Sequence, residues 1–410
     1  MAGCGYRTFL VALSCCLPGL AAPFHVYVGA IEPSAVVVAW GTTAGAGNTI
    51  GRDSEPQGSA VLHIGDRRIE AKRSWLRVEG LKPDTEYPYE LRVNGQRMGG
   101  GTVRTWPVQS DRLVFFVMGD YGTGKKPQYR VAAEMIKEFT ARQSSGNPVR
   151  FVLTTGDNIY ADTVAGIPVR NSGDRDVDWE KKFFLPYEEL LAHVPFYASP
   201  GNHDGNESES HGDLPVYLDN FFFPGGKPAR YYKFSFGGLA DFFSLDSTEN
   251  REVGPPEPFY RPDGEESKWL ERELAASRAT WKIPYFHHPP FTAGPRHPPA
   301  LDALKHWVDW FQKAGVKVVF NGHEHNFQFT NATETGSITY VVSGSGGELR
   351  PKNVRKRLSG SYIAGWSPQN QFLTVEIEGR TLRITPHSWE AVRVLDTAGK
   401  PVPMPIVVKN

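Results

Sequence analysis

Apolar positions along the chain change their period near residue 106. From 24 to 105 they come in short runs with β character. Residues 35–40 (Ala-Val-Val-Val-Ala-Trp) are β-branched, Ala60, Leu62 and Ile64 alternate with Ser59, Val61 and His63, and 76–81 leads into the turn Lys82-Pro83-Asp84-Thr85. Residues 87–93 put Tyr87, Tyr89, Leu91 and Val93 on one face and Pro88, Glu90 and Arg92 on the other. Period-two runs bounded by turn residues predict strands, and several in succession predict an all-β sandwich of roughly 80 residues. Pro88 cannot donate to a ladder, so its strand is expected at an edge or a bulge.

After Trp106-Pro107 the pattern becomes mixed. Runs at 113–118, 150–155, 194–198, 283–286, 316–320 and 338–342 predict strands, and 129–142 and 301–314 have helical spacing. Such alternation predicts an α/β domain. The stretches 254–264 and 294–299, rich in Pro and Gly, read as loops, and Ser343-Gly344-Ser345-Gly346-Gly347 reads as a tight turn.

Composition adds bounds. A length of 410 residues exceeds one ordinary core, so two domains are expected. Charges balance at 45 basic against 45 acidic side chains, which argues against nucleic acid or an anionic membrane as a bulk partner. Residues 1–22 read as an export signal: Arg7, an apolar stretch over 8–20, and the cleavage site Gly19-Leu20-Ala21. This places the mature protein in a secreted, extracellular or periplasmic location. All three cysteines, Cys4, Cys15 and Cys16, fall inside that segment, so the mature chain is expected to have neither disulfide nor thiolate metal site. Cys15 or Cys16 leaves open a lipid-anchored variant of the same export. The expected division is signal 1–22, β domain 23–106 and catalytic domain 107–410.

The chemistry sits where strands end. Five motifs follow apolar runs: Gly119-Asp120-Tyr121-Gly122, Gly156-Asp157-Asn158-Ile159-Tyr160, Gly201-Asn202-His203-Asp204, His287-His288-Pro289 and Gly322-His323-Glu324-His325-Asn326. An Asp after a strand is often only a helix cap, and Gly-Asn-His-Asp is often only a turn. Together the five bring carboxylates, a phenol, an amide and imidazoles to strand ends, where α/β sheets bind ligands. Mixed oxygen and imidazole donors suit a pair of transition metals better than calcium. Two adjacent cations are a device for phosphoryl transfer.

With these motifs the chain resembles the purple acid phosphatases of the calcineurin-like metallophosphoesterase superfamily. The resemblance spans nearly the whole mature chain. Residues 81–89 (Leu-Lys-Pro-Asp-Thr-Glu-Tyr-Pro-Tyr) resemble a corner of fibronectin type III domains. The implied fold is therefore a fibronectin type III-like N-terminal sandwich followed by a four-layer α/β metallophosphoesterase domain. The resemblance implies one metal held by Asp120, Tyr160 and His325 and a second by Asn202, His287 and His323, with Asp157 bridging. Tyr160 would be the phenolate ligand of Fe(III) that gives the family its colour, and the second ion would be divalent Zn, Mn or Fe.

The implied activity is acid hydrolysis of small phosphate monoesters by attack of a metal-bound hydroxide. His203, beside the ligand Asn202, is the expected general acid, and His297 resembles a substrate-binding histidine of the family. Asp204 either orients His203 or shapes the turn. The doublet leaves His287 and His288 as alternatives, and the family's His-x-Pro spacing favours His287. Pro284 departs from the family's aliphatic residue, which predicts a distorted or edge strand. Two rival readings stay open: a phosphodiesterase or nucleotide pyrophosphatase of the same superfamily, and a surface binding protein with a decayed site.

Overall fold

Alternating side chains need two packed faces, and the N-terminal strands supply them as two antiparallel sheets. The structure, a computed structural model, describes residues 23–43, 58–160, 163–164, 167–168, 179–204, 214–226, 229–250, 257–352, 354 and 362–410. The expected export signal lies outside those residues. Phe24–Ile31, Ala35–Thr42 and Trp75–Glu79 form one sheet; Arg67–Glu70, Ala60–Ile64, Glu86–Val93 and Gln96–Arg104 form the other, each in that order. Ala60, Leu62 and Ile64 are buried and their alternates half-buried, as the period predicts.

Pro88 corrects its expectation. Its strand is interior, and the one register shift lies farther along, between Leu91 and Arg92. The Pro88 carbonyl accepts from Gly65 N, just past the end of the neighbouring strand, so the missing donor faces a turn and not a ladder.

The rest of the chain builds two mixed sheets. One runs Phe196–Ser199, Val149–Thr155, Arg112–Met118, Phe372–Glu378, Thr381–His387, Ile406–Lys409, its first three strands parallel. The other runs Tyr232–Phe236, Ala240–Ser244, Trp281–Tyr285, Val318–Asn321, Thr339–Ser343, Phe327–Thr330, Ile363–Ser367. Strand periodicity assigns the layers. Phe242 and Phe320 meet Phe115 of the first sheet, whereas Phe243 and Val319 pack with Leu270, Leu304 and Trp307 of the helices Glu265–Ala276 and Leu301–Lys313. On the first sheet, helix Lys126–Ser144 packs beside Val149–Thr155.

Pro284 also lies in an interior strand, so no edge forms there. Trp281–Tyr285 keeps unbroken register with Ala240–Ser244, and its pairing to Val318–Asn321 is confined to Tyr285 and Phe320. That shortened ladder is what a missing donor produces. Trp106, at the expected junction, is buried among Phe151, Tyr197, Phe234 and Phe236, with ring centroids 5.4–5.9 Å away. One hydrophobic core is thus continuous from the N-terminal sheets into the mixed ones.

Candidate metal centre

The carboxyl ends of five strands, three from the first sheet and two from the second, face one another. The first sheet delivers Asp120, Asp157 with Tyr160, and Asn202 with His203; the second delivers His287, then His323 and His325. Leaving a strand toward a shared point demands unusual backbone. Asp120, Asp157 and His323 have φ of 55°, 50° and 70°, a left-handed region that costs on the order of 1 kcal/mol or more per non-glycine residue. Two glycines give the carboxylates room. A Cβ on Gly201 would lie 2.4 Å from Asp157 Oδ1, and one on Gly322 would lie 2.6 Å from Asp120 Oδ2.

All seven side chains expected to bind metal converge. Tyr160 Oη donates to Asp120 Oδ1 at 3.0 Å and lies 3.1 Å from His325 Nε2, which is itself 3.3 Å from Asp120 Oδ1. On the other side, Asn202 Oδ1 is 2.9 Å from both His287 Nε2 and His323 Nδ1, and these nitrogens are 3.1 Å apart. Asp157 stands between the groups. Its Oδ1 lies 3.4 Å from His287 Nε2, and its donor oxygen belongs to a cluster with Asp120 and His325 whose atoms all lie within 4.8 Å. Lone pairs crowded this closely, from oxygen and imidazole together, fit a cation in each group.

A family model for calcineurin-like phosphoesterases matches residues 112–327, more than half of the chain and all five motifs. The chain belongs to the calcineurin-like phosphoesterases. Among its relatives is human tartrate-resistant acid phosphatase type 5, 24% identical over 307 residues, covering 67% of this chain and 86% of the human one. A solved structure of PhoD superposes with a TM-score of 0.64 at 16% identity, covering 94% of this chain and 93% of that one. The purple acid phosphatase PPD1 from yellow lupin gives 0.63 at 16% identity, over 93% of this chain and 73% of the lupin chain. The likeness to purple acid phosphatases read from the motifs therefore holds in both sequence and fold.

Electrostatics in this phosphoesterase centre on Asp157. Burial would raise its pKa, but the imidazoles of His287 and His203 hold the carboxyl well below the usual range. Burial likewise works against protonating His287, yet Asp157, together with Asp120 and the Thr155 carbonyl, outweighs it and lifts the imidazole to about 10. Burial, then His288 and His287, push His323 well below its ordinary value. His203 donates its backbone amide to Asp157 Oδ1 at 2.8 Å, and its ring lies 4.6 Å from that of Tyr160. The His297 ring sits 3.9 Å from that of His323.

Several neighbours do more than the sequence disclosed. Asp204 does not reach His203; its carboxylate accepts from Gly201 N, Asn158 N and Asn158 Nδ2 at 2.7–3.2 Å, lacing two motifs together. Burial and the charge of Asp157 raise its pKa to about 8. His288 turns toward the site: its ring lies 4.3 Å from that of His323, tilted by 57°, and its Nδ1 meets Ser247 Oγ at 3.0 Å. Residues 343–347 do more than turn, because Gly346 N bonds Gly119 O while Gly347 N and Glu348 N bond Asp120 O. The signal was present, since this run follows a strand as the other motifs do. The buried Lys182 ammonium donates to the Tyr160 carbonyl at 2.7 Å, a contact nothing local in sequence foretells.

Proposed function

We propose that this phosphoesterase is an exported, two-metal acid phosphatase acting on small phosphate monoesters. The observation that carries the reading is the position of Asp157 between two donor groups of unlike charge. Asp120, Tyr160 and His325 would hold Fe(III), whose high charge the phenolate suits. Asn202, His287 and His323 would hold a divalent Zn, Mn or Fe, with Asp157 shared. Bound there, the pair would supply a lowered water pKa and charge neutralisation of the phosphate.

The protein's own part is orientation and proton handling. His203 lines the cleft beside Asn202, and its backbone bond to Asp157 keeps it at the centre. Its ring Nδ1 is buried and has no hydrogen-bond partner among the described residues; the imidazole would pass a proton to the leaving oxygen. His297, which also lines the cleft, would steady the phosphate. The proposal extends to the chain's organisation: an export signal over 1–22, a fibronectin type III-like sandwich over 23–106 and the catalytic domain over 107–410.

Metal analysis with a visible spectrum tests the centre. The expected result is two ions per chain and a tyrosinate–iron band that Tyr160→Phe abolishes; a variant that keeps the band removes Tyr160 from the iron. Turnover of p-nitrophenyl phosphate should exceed that of bis(p-nitrophenyl) phosphate and vanish on exhaustive chelation. A preference for the diester, or chelator-resistant turnover, would replace the monoesterase reading.

A further inference from the structure

The mechanism leaves several charged side chains of the cleft unused. A cavity of about 530 Å³ is lined by the metal-binding Asp157, Tyr160, Asn202, His323 and His325 together with Lys125, Arg296, Glu348 and Arg350. In a chain whose charges balance overall, three cations against one carboxylate is a local excess. Lys125 spends its charge on Glu348, with Nζ and Oε1 2.9 Å apart. Arg296 is exposed and has no ion-pair partner among the described residues.

Arg350 is set more firmly. Its side chain is only 16% exposed, and its amide donates to the His325 carbonyl at 2.7 Å. Nη1 donates to the His323 carbonyl and to Glu324 Oε1, both at 3.3 Å. Glu324 is wholly buried, and its other oxygen accepts from the His297 amide at 2.8 Å. A buried carboxylate costs several kcal/mol unless paired. Here it fixes a guanidinium and the His297 loop relative to the two histidines that flank it in sequence. A guanidinium has five donors in a planar fork suited to phosphate or carboxylate. Nη2 lies 3.4 Å from His325 Nε2; were that lone pair to hold a cation, this donor would be left to the cleft. The adjoining 310 Å³ lobe beyond His297, walled by Glu249, Tyr260, Ala300, Ala303 and Leu304, offers no Lys or Arg among the described residues.

We infer that Arg350, preset by Glu324, and Arg296 form a second anion subsite, so that preferred substrates are phosphate monoesters bearing another phosphate or a carboxylate on the leaving part. This rests on the monoesterase reading and names its substrate class. Glycerol 3-phosphate and 3-phosphoglycerate carry the same primary phosphate ester and differ in a carboxylate, so they are the probes. With the metal-loaded enzyme at low salt, kcat/KM for 3-phosphoglycerate should be higher by about tenfold or more, the worth of one charged hydrogen bond. Arg296→Ala should lower that ratio, and Arg296→Ala with Glu324→Gln and Arg350→Gln should abolish it, mainly through KM. Pairing the last two changes avoids stranding a buried charge. Equal turnover of both esters by the unaltered enzyme, or a preference that survives loss of both arginines, overturns the subsite and leaves the monoesterase reading intact. Turnover of neither ester overturns the monoesterase reading itself.

Discussion

At the strand ends, Asp120, Asp157 and His323 hold left-handed backbones and press acids, a phenol and imidazoles against one another. At the seam with the N-terminal sheets, Trp106 fills an aromatic socket in ordinary strand surroundings, and Glu32 meets Arg77 through two parallel bonds of 2.6 and 2.7 Å. The first region has little reason to look as it does without a ligand. The second is what a stable interface needs and nothing more. Substitutions should therefore separate the two, with loss of chemistry in one place and loss of stability in the other.

The largest effect belongs to the centre. Asp157→Ala should lower phosphatase turnover on the order of a thousandfold or more and drop bound metal below two ions per chain, read by kinetics and elemental analysis. Retention of both ions would break the contrast at its root. Next comes Trp106→Ala, expected to cost about 3–5 kcal/mol in denaturant unfolding while the folded fraction keeps its metal content. Loss of metal from the folded fraction would show that seam and centre are not separable.

Glu32→Gln is the smallest change, about 1 kcal/mol near neutral pH. The hydrogen bond from Arg77 outweighs burial and holds the Glu32 carboxyl below its usual range. Its stabilisation is present above the unfolded value of about 4.3 and fades as pH falls through the lower folded value. Melting curves of wild type and variant should converge in acid, and a gap that widens there would reverse the assignment.

How much could be read beforehand follows the same division. Strand ends were readable because Asp120, Asp157, Asn202 and His323 sit at fixed offsets from apolar runs, next to glycines. Helix Glu265–Ala276 went unread although Leu270 and Leu274 mark its buried face and Glu265 and Glu266 its first turn. The strands Phe372–Glu378 and Thr381–His387 also went unread despite clear alternation. What no local pattern carries is pairing across the chain. Lys182 meeting Tyr160, Asp204 meeting Asn158 and Glu324 meeting Arg350 depend on which strands lie side by side within each sheet. Pro88 misled for a related reason, since a proline's cost depends on which neighbour its nitrogen faces. Pro284 shortened its ladder as a distorted strand would, and only the expected edge failed.

The socket around Trp106 bears on how this enzyme can be dissected. A fragment starting at Pro107 would open four aromatic rings to water and take His25 away from Glu180, two residues before the lysine that steadies the Tyr160 loop. Aggregation or loss of activity of such a fragment would reflect an amputated wedge, and ought not to be taken as a sign that the leading sheets recognise anything.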